Sequence, residues 1–311
     1  MNILVTGGAG FLGSQIARYH HKKGDVVWII DDFSTGAIEN IDQDFFRVDS
    51  ADMRSYTFLA EALKWADLVY HMAATVGQKW VLSNPERTFL NNIQCCEVLL
   101  EKAQPHNRIL IPSSASVYWY GVVGEQTLRE NSILKIPSGR AIQQAYGMSK
   151  LVCEALAQMS GHHCVIVRLF NIFGPGQKSV GGSVVPMWMK QCMHNEPISI
   201  YGSGEQIRSF IYVEDAILAM ERLLEKDLSK GEIYNIGNEH LISLIDLAQL
   251  IKKITRSRSE EVYIPYEKAY GIDFEEALNI PPSFEKFHQA VDFHSLWSLE
   301  EGIARIYANL S

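Results

Sequence analysis

Met1-Asn2-Ile3-Leu4-Val5-Thr6-Gly7-Gly8-Ala9-Gly10-Phe11-Leu12-Gly13 is the stretch that decides the fold of this 311-residue chain. A short apolar run with β-branched members is followed at once by glycines at positions 7, 10 and 13. The pattern predicts a buried strand that turns sharply into a helix. Such glycines let the backbone turn, let a pyrophosphate approach bare N–H groups, and let the helix pack on the sheet. A second apolar run, Val26-Val27-Trp28-Ile29-Ile30, ends in Asp31-Asp32. An acid about 20 residues past the glycines is where the adenosine ribose hydroxyls of a dinucleotide are held. Strand, glycines, helix and acid in this order predict an NAD site. Asp31 argues against NADP, because a carboxylate repels a 2′-phosphate.

Working outward, strands and helices alternate. Leu68-Val69-Tyr70-His71-Met72, Arg108-Ile109-Leu110-Ile111-Pro112 and Cys164-Val165-Ile166-Val167-Arg168-Leu169 read as strands. Asn84-Pro85-Glu86 starts a helix, with Asn84 as its side-chain cap and Phe89, Ile93, Cys96 and Leu100 as its apolar stripe. Met148, Val152, Ala155 and Met159 repeat the stripe on a later helix. This alternation predicts an α/β fold, a doubly wound parallel sheet with helices on both faces. Past residue 171 the texture changes, with Gly174-Pro175-Gly176 and Gly202-Ser203-Gly204 as punctuation. We expect an NAD-binding domain over 1–170, with 210–237 returning to it, and a smaller mixed α/β substrate lobe over 171–311. Ligands of such sheets sit beyond the carboxyl ends of the strands, so the lobe boundary is the expected cleft.

Composition narrows the partners. The chain is 47% hydrophobic and 21% charged with a net charge of −8, which favours neither nucleic acid nor an anionic membrane surface. No apolar run has the length of a membrane span, and the N-terminal apolar residues are committed to the first strand rather than to a signal peptide. Five cysteines, an odd number without framework spacing, predict free buried thiols and a reducing, cytoplasmic setting. His162-His163 lack companions at metal-ligand spacing, so no metal is expected.

Tyr146-Gly147-Met148-Ser149-Lys150 puts a phenol and an ammonium at i and i+4 on one helix face. A phenol is a poor base at neutral pH, and a neighbouring ammonium favours its ionised form. Tyr19 and Lys23 share the spacing, but there it reads as a solvated face within His20-His21-Lys22-Lys23. What selects Tyr146 and Lys150 is the strand that runs into Ser113-Ser114-Ala115-Ser116-Val117-Tyr118, which delivers hydroxyls to the expected cleft.

Over nearly its whole length the chain resembles the extended short-chain dehydrogenase/reductase family, in its nucleotide-sugar epimerase and dehydratase branch. The matching stretches are Thr6 to Gly13, Asp31-Asp32-Phe33-Ser34-Thr35-Gly36, His71-Met72-Ala73-Ala74, Asn92, Ser113 to Tyr118, Tyr146 with Lys150, Arg168 to Gln177, Tyr201-Gly202-Ser203-Gly204, and Arg208 to Asp215. The resemblance implies Ser114, Tyr146 and Lys150 as the catalytic set. It implies a cofactor site of Gly7, Gly10, Phe11, Leu12, Asp31, Asp32, Ser34, Thr35, Gly36, Asp49, Ser50, Ala73, Ala74 and Asn92, with Tyr146 and Lys150 reaching the cofactor too. In it Asp31 holds the adenosine ribose and Asp49 meets the adenine. It implies Ser114, Ser116, Asn171, Val185, Tyr201 and Arg208 around a UDP-linked sugar. Arg208 pairs with the pyrophosphate, a role that suits a guanidinium; the plain alternative is an ion pair with Glu205 or Glu214.

Dehydratases resembling this family carry Asp-Glu at the positions of Ala115-Ser116, and its decarboxylases carry Glu at the position of Ser116. With neither acid present, the expected activity is a UDP-sugar 4-epimerase, working through a transient 4-keto sugar. The alternatives are a dehydratase or decarboxylase with displaced acids, or a catalytically silent nucleotide-binding protein. The resemblance also implies a homodimer paired through the helices near 85–103 and 148–159, with Phe89, Leu90, Leu99 or Val152 facing the partner. Two departures stand out: Trp119 replaces a Gly, in an atypically long stretch to Ala145, and no Arg lies around Asn279-Ile280-Pro281-Pro282.

Overall fold

The apolar runs become strands in the expected order: β1 (Asn2–Thr6), β2 (Val26–Asp31), β3 (Arg47–Ser50), β4 (Leu68–His71), β5 (Arg108–Ser114) and β6 (His163–Leu169). Then come β7 (Asn171–Phe173), β8 (Ile198–Tyr201), β9 (Ile207–Tyr212), β10 (Glu232–Ile236), β11 (Leu241–Ser243) and β12 (Glu261–Ile264). The computed structural model describes residues 1–136, 138, 141–179, 182–226, 230–271, 274–277 and 279–310. Among these, seven strands form one parallel sheet in the order β10-β6-β5-β4-β1-β2-β3. β1 is an interior strand between β4 and β2, with Thr6 level with Ile30 on one side and His71 on the other. The fold is a doubly wound α/β sheet. Alternate residues of β1 feed different cores, Ile3 and Val5 on one face and Leu4 on the other, because strand side chains alternate.

The smaller sheets lie outside the main one. β11, β9 and β7 form a three-stranded sheet, and β8 pairs with β12. Their core is built on Trp188, Ile200, Leu247 and Ile303. β10 is the end strand of the seven-stranded sheet, beside β6. The five cysteines are free and buried. Among the described residues no helix is long and apolar enough to cross a membrane.

The helices are α1 (Phe11–Lys23), α2 (Tyr56–Trp65), α3 (Gln78–Ser83), α4 (Pro85–Lys102), α5 (Ala141–Met159), α6 (Val184–Met193), α7 (Val213–Leu224), α8 (Leu244–Thr255), α9 (Tyr266–Tyr270), α10 (Glu285–Ala290) and α11 (Leu299–Leu310). Three expectations need correction here. Asn84 does not cap α4 through its side chain; α3 ends directly before it, and its amide turns back to Trp80 O at 3.4 Å. The apolar stripe of α5 is not its buried face, and that of α4 is buried only in its second half, at Cys96 and Leu100. α4 buries Thr88, Asn92, Cys95, Cys96, Leu99 and Leu100, leaving Phe89 and Ile93 half-buried and Leu90 exposed. α5 buries Ser149, Lys150, Cys153, Glu154 and Ala157, while Met159 is 74% exposed. Polar groups can face inward because they satisfy one another: Asn92 donates to Ser149 Oγ at 3.0 Å, and Glu154 holds Arg168. Leu99, fully buried, cannot face a partner subunit.

The end of α1 is the third correction. His20 is fully buried; its Nδ1 lies 2.7 Å from Asp25, and its Nε2 lies 3.1 Å from Tyr70 Oη and 3.2 Å from Glu221. Lys23 reaches Glu221 at 2.9 Å, and the Tyr70 hydroxyl donates to it. α7 lies across this face and supplies the acid. Burial pushes the Glu221 carboxyl up, but His20, Tyr70 and Lys23 outweigh it and hold it at about 2, against an ordinary 4.5. A folded-state value below the unfolded one stabilises the protein above about pH 4.5 and ceases to do so as pH falls toward 2. Glu221→Gln is therefore expected to cost about 3 kcal/mol at pH 7 and much less at pH 3. Urea unfolding at both pH values checks this; an equal loss at the two would refute it.

Candidate active site

The turn after β1 is tight. Gly7 has φ +69°, and a Cβ there would lie 2.5 Å from Ala73 N. A Cβ on Gly13 would lie 2.3 Å from Gly7 O, so only glycine lets α1 start this close to the strand. No side chain caps the first turn of α1, whose N–H groups face the cleft and suit a phosphate. Asp31, at the end of β2, accepts from Ala9 N and Phe33 N, both at 2.8 Å. Each carboxylate oxygen has a second lone pair for a ribose hydroxyl. Burial raises the Asp31 carboxyl, against the pull of those two N–H groups. The glycine turn, the uncapped helix and the buried acid fit a dinucleotide.

These residues wall one end of a cleft of about 610 Å³. Gly7, Gly10, Phe11, Leu12, Asp31, Asp32, Ser34, Thr35, Gly36, Ala73 and Ala74 line that end; Ser114, Tyr146 and Lys150 the middle; Asn171, Val185, Tyr201 and Arg208 the other end. Four expected residues do not line it. Asp49 is taken by Trp28 Nε1 at 2.7 Å, and Ser50 sits with it on the edge strand; the wall there is Ala51, Asp52 and Met53. Asn92 is buried behind the wall and accepts from Thr75 N at 2.7 Å, fixing the loop after β4. Ser116 faces a neighbouring cavity.

In the middle, β5 ends in Ser113 and Ser114. Ser114 Oγ accepts from Ser116 N and donates to Ser116 Oγ, both at 3.1 Å. Tyr146 is half-buried on α5. One turn on, Lys150 is 5% exposed; its Nζ donates to Pro112 O at 2.8 Å and lies 5.8 Å from the Tyr146 ring centroid. The intervening Gly147 has a purpose, because a Cβ there would strike Ser116 O at 2.7 Å. His71, wholly buried beside Thr6, is driven down to about 3 by burial and by the Lys150 charge. It stays neutral and adds no charge near the ammonium.

Sequence reasoning missed two features. Beneath the serines, Arg168 grips Glu154 with two bonds of 2.8 and 2.9 Å, Ser113 Oγ donates to Glu154, and Arg168 also reaches Tyr118 Oη at 2.6 Å. At the far end Arg208 pairs with neither Glu205 nor Glu214 but with Glu276 at 3.3 Å, while Glu214 pairs with Arg305. Trp119 donates to Glu275 O at 3.0 Å and meets Phe274 edge-on, and Phe274 stacks on Tyr270. The atypical stretch thus meets an aromatic wall from the C-terminal region; its Pro137, Gly139 and Arg140 lie outside the described residues.

The model of the NAD-dependent epimerase/dehydratase family matches residues 3–237. The chain belongs to this family. Its cofactor is NAD. It is 30% identical to a UDP-N-acetyl-α-D-glucosaminuronate decarboxylase of Bacillus cytotoxicus, over 96% of this chain and 94% of that one. Among solved structures it is similar to UDP-glucose 4-epimerase of Thermotoga maritima (TM-score 0.86, 25% identity, 100% of this chain and 99% of that one). It is also similar to UDP-glucuronic acid 4-epimerase of Bacillus cereus in complex with NAD (TM-score 0.81, 27% identity, 99% and 96%).

For a member of this family, Asp31 has a testable duty. Asp31→Ala is expected to weaken NAD binding about 10- to 100-fold, the worth of charge-assisted hydrogen bonds, and to erode the preference over NADP. Titration of both cofactors measures it. Tighter NADP than NAD binding by the unaltered protein would contradict the role.

Proposed function

We propose that the chain is a UDP-sugar 4-epimerase. The observation that carries this is Ala115-Ser116: neither of the two positions after Ser114 holds an acid or a thiol, and Ser116 Oγ accepts from Ser114 Oγ. The cleft retains the groups that handle one hydroxyl. Tyr146 takes the proton of the C4 hydroxyl, and Ser114 bonds the same oxygen. Lys150 supplies positive charge beside the phenol, and Pro112 O fixes where that charge sits. Arg208 holds the diphosphate, with Asn171, Val185 and Tyr201 along the nucleotide. NAD, when bound, supplies the reversible acceptor for the hydrogen on C4. The 4-keto sugar then turns in the cleft and is reduced on its other face.

The curated relative favours a second reading, decarboxylation of a UDP-uronate after the same oxidation. Incubation with UDP-hexoses, their N-acetyl forms and UDP-uronates, followed by mass analysis, separates the two. An isomer of unchanged mass supports the epimerase, and loss of CO2 supports the decarboxylase.

The same reading includes a homodimer. Phe89, Leu90, Ile93, Met148, Val152 and Met159 lie on the outer faces of α4 and α5, which pack side by side. An isologous pairing would cover them. Light scattering at micromolar concentration is expected to give twice the chain mass; a monomer would refute the pairing.

A further inference from the structure

Beyond Tyr146 a second cavity of about 280 Å³ adjoins the cleft and shares Tyr146, Trp119 and Asn171 as walls. Three features of its lining point to an anion. Gln144 is 7% exposed, and its amide nitrogen has no hydrogen-bond partner. A buried donor left unpaired is costly, so it calls for an acceptor. Lys135 lines the same cavity, and its ammonium pairs with nothing among the described residues. Among the described lining residues there is no Asp or Glu to compete with an anionic ligand.

Tyr146 fixes which part of a substrate reaches this cavity. If its hydroxyl meets the C4 hydroxyl, a group entering the cavity hangs from a carbon next to C4. Of the two neighbours, C5 bears the exocyclic carbon; a C2 substituent is one atom farther along the ring. We infer that the Gln144–Lys135 cavity receives the C6 carboxylate of a UDP-uronate. Gln144 Nε2 donates to one carboxylate oxygen, and Lys135 Nζ supplies the countercharge. Val81, Leu82 and Leu151 furnish apolar wall around this polar tip. The inference rests on the UDP-sugar reading above. It holds whether the 4-keto uronate is reduced intact or after losing CO2.

The test is calorimetric titration of NAD-loaded Tyr146→Phe protein, whose turnover is expected to be about 10²–10⁴-fold lower, using UDP, UDP-glucose, UDP-N-acetylglucosamine and UDP-glucuronate. UDP-glucuronate is expected to bind about tenfold or more tighter than UDP-glucose, the worth of one charge-assisted contact. Adding Lys135→Met or Gln144→Met is expected to remove most of that preference. Lys135 is exposed, so its variant bears on the ligand even if the buried Gln144 variant unfolds. Equal or tighter binding of UDP-glucose or UDP-N-acetylglucosamine would overturn this inference and leave the UDP-sugar reading standing. Failure of UDP itself to bind would overturn both.

Discussion

Tyr146→Phe is expected to lower turnover about 10²–10⁴-fold while leaving the fold and NAD binding in place. On the proposed reading the Tyr146 phenol takes the proton of the C4 hydroxyl, and Tyr146 lines the cleft together with Ser114. The ring itself remains in the variant, so packing on α5 is kept. Lys150 is still anchored on Pro112 O, and the glycine turn lies at the far end of the cleft. The loss therefore belongs in kcat, with the affinity for NAD unchanged. Steady-state rates beside a cofactor titration measure both. Near-normal turnover in the variant would remove Tyr146 from the mechanism even with the NAD site intact.

Glu154→Ala is expected to destabilise the protein by about 3–5 kcal/mol, because it strands the Arg168 guanidinium in the core without its partner. Both residues are 4% exposed. The damage is not confined to stability. Glu154 also accepts from Ser113 Oγ, and Arg168 holds Tyr118 on the short helix that follows Ser114. The carboxylate therefore fixes the strand end that carries Ser114, the serine proposed to bond the substrate oxygen. Denaturant unfolding gives the stability term, and activity measured well below the transition gives the positional one. A loss below about 1 kcal/mol would show that the pair contributes little beyond its hydrophobic surroundings.

These two experiments probe parts of the molecule that differ in how far the sequence reveals them. The glycine turn and the acid at the end of β2 were legible because their signals are local, whereas Asp49, Ser50 and Asn92 do not line the cleft. Gly7, Gly13 and Asp31 lie within one strand–helix–strand unit, and each is demanded by backbone geometry there. The central strands were legible because both faces are buried, which makes Ile3 to Val5 and Ile109 to Ile111 continuous apolar runs. β3 was not, since it is the sheet's edge and its four residues are half-buried or exposed.

The faces of α4 and α5 misled because hydrophobic period locates an apolar stripe, not what covers it. Here the inward positions hold Asn92, Ser149, Lys150 and Glu154, each paired by residues distant in sequence. Those pairings have no local signature. The same holds for Arg208, whose partner Glu276 is 68 residues away, and for Trp119, which meets Glu275 across 156. His20 looked solvated because its helix end is rich in basic residues, while its acid, Glu221, arrives on α7. Gly147 and Gln144 carry information only once α5 is set against Ser116 and the side cavity is formed.

The central claim is that one hydroxyl is oxidised and reduced again at C4 with the carbon skeleton intact. Proton NMR of UDP-glucuronate and UDP-hexoses incubated in D2O with the NAD-loaded protein tests it most directly. The account predicts the C4 epimer, with its C4 hydrogen retained from the substrate and no deuterium at C3 or C5. A UDP-pentose, a dehydrated sugar, or solvent deuterium at C5 would contradict it.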